Sequence, residues 1–110
     1  MFRWSLLVAL CFGLTAFAAD KKTERVFNAK CGSCHGKDGK AQTEKGKQMK
    51  MRDMGSEEFQ KATDDEMKKT IADGFKKEKD GVKQEMDSFK DELKPAEIDA
   101  LVALVRGFKK

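Results

Sequence analysis

Cys31-Gly32-Ser33-Cys34-His35 is the stretch that decides how the rest of the chain is read. It is a C-x-x-C-H sequence, the attachment signal for c-type haem. Two cysteines three positions apart can reach the two vinyl groups on one side of a porphyrin and form thioethers. The adjacent His35 is then carried under the iron, where an imidazole nitrogen can bind it. Gly36 lets the backbone turn closely past the haem, and Lys37-Asp38-Gly39-Lys40 continues as turn chemistry.

Other chemistries use the same residue types. A thioredoxin-like redox pair expects a βαβ context, and no convincing strand pattern is present. A structural zinc site needs four ligands, but Cys31, Cys34 and His35 are three crowded ones, and Cys11 is the only other Cys or His in the chain. A Cys31–Cys34 disulfide would close a small strained loop and leave His35 without a role. With one His in the chain, a two-His metal site and a bis-histidine haem are excluded.

Upstream, residues 1–18 read as a secretory signal peptide. Arg3 is the positive end, Leu6 to Phe17 the apolar run, and Ala16-Phe17-Ala18 the small-x-small cleavage pattern. The apolar run is shorter than the roughly 18–20 residues a membrane span needs. Export agrees with haem attachment, since c-type cytochromes mature outside the bacterial cytoplasm, and the expected location is the periplasm. Residues 19–110 are expected to form one domain of 92 residues.

That domain is short of core material. Only 14 of its residues are Leu, Ile, Val or Phe, about 15%, against the ~20% below which chains tend to stay disordered. A covalently held haem, large and mostly apolar, would make up the deficit. The 110 residues carry 23 Lys+Arg and 19 Asp+Glu, a formal net charge of +4 with both signs interleaved. That is a solvated surface, not the one-sided basic stripe of a nucleic-acid binder.

Four helices are legible. Asp20 can cap the first, about Lys21 to Lys30, and Ser56 a short one from Glu57 to Lys61. Thr63-Asp64-Asp65-Glu66 is a capping box opening a helix that Gly74 ends at Asp73. Pro95 suits the first position of the last helix, to about Phe108, whose Ile98, Leu101, Val102, Val105 and Phe108 form one inward stripe. Lys76 to Asp80 reads as a solvated loop.

These features together resemble the class I cytochromes c, the small soluble monohaem kind, over nearly all of residues 19–110. Glu24 to Lys30, with Phe27 four residues before the first Cys, is similar to that family's N-terminal helix. Gly81 to Leu93 resembles its methionine loop, and Pro95 to Arg106 its C-terminal helix. The resemblance implies an all-α fold, three to five helices wrapped around one covalent haem c. Cys31 and Cys34 would form the thioethers, with His35 and Met86 as axial iron ligands.

Met86 lies outside any periodic segment, between the Gly81 turn and the Pro95 helix. Met67, at i, i+4 from Ile71, reads as core. Two departures stand out. The proline that commonly follows the ligand Met is Asp87 here, so a softer loop is expected. The proline whose carbonyl usually accepts the axial-histidine proton has no counterpart, so a carbonyl between Ala41 and Gly46 is expected to take that role.

The function expected is one-electron transfer between redox proteins, not catalysis, by a monomeric periplasmic carrier. Membrane-bound oxidoreductases and partners with acidic docking surfaces fit it; nucleic acid does not. A haem-based ligand sensor or weak peroxidase is the alternative if Met86 is labile. A thiol redox or metal-binding module is the alternative without haem.

Overall fold

The computed structural model describes residues 20–110; the leader assigned to residues 1–18 lies outside them. Six helices and one hairpin follow in order: α1 (Lys21–Lys30), α2 (Gly32–His35), α3 (Glu44–Gln48), α4 (Glu57–Gln60), α5 (Asp64–Asp73), β1 (Phe75–Lys79), β2 (Val82–Met86) and α6 (Pro95–Arg106). None of the described helices is long and apolar enough to cross a membrane.

Local chemistry starts the helices where the sequence says it should. The Asp20, Ser56 and Thr63 side chains each accept a first-turn amide, from Lys22, Phe59 and Glu66. These bonds satisfy amides that have no partner inside the helix. Glu97 reaches back to accept from the Lys94 N–H at 3.1 Å, closing the start of α6 beside Pro95.

The two terminal helices pack on one another, and their contact is the centre of the core. Phe27 from α1 and Leu101 from α6 are each 2% exposed, with Thr23 buried beside the crossing. Burying side chains of this size contributes about 1.5–3 kcal/mol apiece. Ile98, Val102 and Val105 complete the α6 stripe, joined by Met54, Met67, Phe89 and Leu93. Phe108 falls just past the end of α6 but still faces inward, its ring 5.5 Å from that of Phe27. Arg106 fastens this same end of α6, donating to the Gln60 and Ala62 carbonyls at 2.7 and 2.6 Å and to Asp64.

The expectation of an all-α chain of three to five helices holds only in part: the described residues are mainly helical, but they form six helices, three of them of four or five residues, and a small sheet. Residues 75–86 form an antiparallel hairpin, pairing Phe75 with Met86, Lys77 with Gln84 and Lys79 with Val82. So the Lys76–Asp80 stretch is solvent-exposed as expected, but most of it is strand. The turn is Asp80-Gly81, both with positive φ (53° and 76°), the backbone that two-residue hairpin turns require. Alternation along β2 buries Val82, Gln84 and Met86 partly and exposes Lys83 and Glu85. On the outer face Lys76 stands opposite Glu85 and Glu78 opposite Lys83, pairings that favour this register. The many lysines and glutamates, poor strand formers as a class, hid the strand from a reading based on composition.

Candidate functional site

The C-x-x-C-H sequence is built as one extra turn on the end of α1. Phe27, locked in the core, accepts the Cys31 N–H through its carbonyl at 2.8 Å. Cys31 then starts α2, where its own carbonyl accepts from His35 N–H at 2.9 Å. One helical turn puts Cys31 and Cys34 on the same face, as i, i+3 neighbours. Both are free thiols and both are partly buried.

Burial sets the protonation of this turn. It pushes the Cys31 thiol up to about 11, with Lys30 opposing the shift and Cys34 adding to it, so Cys31 is protonated at neutral pH. Burial also pushes His35 down to about 4, so its imidazole is neutral at pH 7. A neutral imidazole is the form that binds a metal. The ring's Nδ1 is fully buried and has no hydrogen-bond partner among the described residues.

That last fact differs from the expectation that a carbonyl between Ala41 and Gly46 holds the imidazole. These residues act on the backbone instead. Ala41 N–H donates to the His35 carbonyl at 2.8 Å, and the Thr43 hydroxyl donates to the Cys34 carbonyl at 2.6 Å. The reason is α3, which is not among the four helices legible in the sequence. Its formation turns the Thr43, Lys45 and Gly46 carbonyls to the amides of Lys47, Met49 and Met51. Thr43 is therefore a site residue that was missed. The signal for it, a Thr just ahead of Glu44 as an N-cap, was present.

Met86 is the last residue of β2, half-buried, and packs against the apolar cluster on which Cys31 also packs. Met67 and Met54 lie inside that cluster, 7% and 6% exposed, as core residues. The segment after Met86 is tied down without a proline. Ser88 donates to the Ala72 carbonyl at 2.6 Å, and the Phe89 and Lys90 amides bond the Ile71 and Ala72 carbonyls at 3.1 Å. Gly74 makes this possible: with φ +67° it passes so close under Met86, Asp87 and Ser88 that a Cβ there would strike the Met86 carbonyl oxygen.

Two free thiols on one face of a turn, next to a neutral imidazole whose Nδ1 has no partner among the described residues, form a donor set that fits a covalently attached haem. Comparison with known proteins agrees. The family model described as cytochrome c matches residues 21–109. The solved structure titled "KustC0563 c-type cytochrome" is 34% identical, with a TM-score of 0.65, covering 80% of this chain and 98% of that one. A single-residue variant of that same protein gives 34% identity and a TM-score of 0.63, over 79% and 98%. No curated protein matches the chain. The match runs from the first helix through the attachment turn to the last helix, and the chain belongs to the cytochrome c family, with that family's covalently attached haem c as its cofactor.

Proposed function

We propose that the chain is an exported one-electron carrier whose haem is joined to Cys31 and Cys34 and ligated by His35 and Met86. The observation that carries this reading is the placement of Met86. It sits on the half-buried face of β2, against the same cluster as Cys31, while Met54 and Met67 are committed to the core. When bound, the haem would supply the one-electron couple, and His35 with the Met86 thioether would hold its iron and favour the reduced state.

The protein's own residues do the rest. His35 presents a neutral imidazole because burial keeps the proton off it. Thr43 fixes the carbonyl before it, and the Ser88, Phe89 and Lys90 bonds restrain the chain after Met86. Residues held in place in this way would bind the haem without having to move, and His35 and Met86 together would leave the iron no position for a substrate. This supports a carrier rather than an enzyme. Export follows from the 1–18 leader, and a periplasmic shuttle between redox proteins is the role it suits.

Absorption spectra of both oxidation states test the assignment. The ferric protein should show a sulfur-to-iron band that Met86→Ala abolishes, with a fall in potential. Met67→Ala should keep the band and cost about 2–5 kcal/mol of stability. The reverse pattern overturns the ligand assignment. Mass spectrometry of exported protein should show one added haem, absent from the Cys31→Ala, Cys34→Ala double variant; a haem-free wild-type protein would end the reading altogether.

A further inference from the structure

Gln84 is the single polar tether between the hairpin and the rest of the described protein. Its side-chain amide donates to the Met49 carbonyl at 2.6 Å and lies 3.4 Å from that of Lys50. Among the described residues no other side chain of 75–86 hydrogen-bonds or ion-pairs with the body of the protein. Packing supports the hairpin only through the inner face of β2, chiefly Met86 at its base: every β1 residue is exposed, and Phe75 is 40% exposed.

The bond has a reason on both sides. Carbonyls at the end of a helix have no partners within it. Met49 caps the end of α3, and Lys50 after it has a left-handed φ of 50°, which turns the chain out of the helix. Gln84 supplies the missing donor from a strand 35 residues further along. On β2, Gln84 and Met86 are two apart and so share a face, about 7 Å from one another along the strand.

The other end of α3 holds the other side of the site. Thr43 caps α3 through the Gly46 N–H at 2.9 Å and bonds the Cys34 carbonyl. α3, with Thr43 at one end and Gln84 at the other, therefore spans from the His35 turn to the Met86 strand.

We infer that Gln84 is a positioning residue for the sixth iron ligand: its bond to the end of α3 holds the Met86 strand against the body, and so sets how firmly Met86 competes for the iron. This rests on Met86 being that ligand. Without the tether the hairpin is anchored at its base, by Gly74, Ser88 and the packing of Met86 on the apolar cluster, and its far end is free to swing outward. A strand that populates an open state presents its ligand for a smaller fraction of the time.

Imidazole added to the ferric holoprotein tests this, because it competes with Met86 for iron and its binding is read from the sulfur-to-iron band. Gln84→Leu and the isosteric Gln84→Glu, which lacks the amide donors, should each bind imidazole about fivefold more tightly than wild type. That is the factor one hydrogen bond of ordinary net strength supplies. Glu85→Leu, on the opposite face of the same strand, should leave the affinity unchanged. Met86→Ala separates the two claims. If that variant keeps the band, the ligand assignment is wrong and the inference goes with it. If it loses the band while both Gln84 variants titrate like wild type, Met86 is the ligand and the tether does not position it. Equal tightening in Glu85→Leu would likewise overturn it, showing only a generally weakened hairpin.

Discussion

The Thr43 hydroxyl donates to the Cys34 carbonyl at 2.6 Å and accepts the Gly46 N–H at 2.9 Å. One side chain thus caps α3 and secures the peptide that leads into His35. Removing it leaves a half-buried carbonyl and a helix amide unpaired together. Thr43→Ala should cost about 1–2 kcal/mol in denaturant unfolding of the holoprotein. Thr43→Ser keeps the hydroxyl and should recover most of that. Equal losses in the two variants would mean the methyl group matters and the hydrogen bonds do not.

Much of this could be read from sequence because each signal was local. Asp20, Ser56, Thr63 and Pro95 announce helix starts by chemistry acting within one turn, and the Ile98-to-Val105 stripe announces its own buried face. The attachment turn needed only five consecutive residues. What escaped depends on partners far apart in the chain. Gln84 gains its role from Met49, and the 74–88 crossing from a close approach of two backbones. The hairpin is the instructive case: Asp80-Gly81 between two five-residue runs is a turn signal, but charged strands lack the apolar alternation that would have confirmed it.

Gly74 and Gly81 both have positive φ, +67° and +76°, but only Gly74 is crowded. A Cβ at Gly81 meets nothing within 4 Å, whereas at Gly74 it runs into the Met86 and Ser88 backbone. Gly81→Ala should therefore cost about 1–2 kcal/mol, the backbone strain alone. Gly74→Ala adds overlap to strain and should cost about 3 kcal/mol or more, while weakening the sulfur-to-iron band. Unfolding and the ferric spectrum of the two variants report these separately. Similar losses with an unchanged band would show that the chain at 86–88 can shift away without disturbing Met86.

Asp53 accepts from Lys110 Nζ at 2.8 Å and from the Gly55 N–H at 2.8 Å, pinning the C-terminus beside the 53–55 turn. The Lys110 hydrogen bond foremost, then the Gly55 amide, hold its carboxyl below the ordinary value of 3.8. A carboxyl whose folded pKa is depressed stabilises the fold above its unfolded pKa, and that stability is lost as pH falls through the folded pKa. Asp53→Asn should then melt below wild type at neutral pH. The two melting temperatures should converge as pH drops below 3.8. A difference that persists unchanged into acid would mean that the charge on Asp53 contributes nothing.

Lys37, Lys40, Lys45, Lys47 and Lys50 follow the attachment turn, all exposed, with only Asp38 and Glu44 as acids among them. None forms an ion pair with a described residue. Lys45 and Lys47 ride on α3, which Thr43 fastens to Cys34, so this charge is fixed in position relative to the Cys31–His35 turn. Uncompensated charge beside a redox centre steers an acidic partner, and it raises the rate of encounter more than the affinity. Stopped-flow electron transfer to such a partner should slow steeply with salt, since the Debye length shrinks from about 10 Å at 0.1 M to about 3 Å at 1 M. Replacing Lys45, Lys47 and Lys50 by Gln should flatten that slope. Replacing Lys76 and Lys83 should change it little, because each faces a glutamate across the hairpin and its field is already offset. If both sets flatten the slope alike, the partner responds to net charge and not to this surface. A rate indifferent to salt in every variant would leave apolar contact as the whole of the docking interaction.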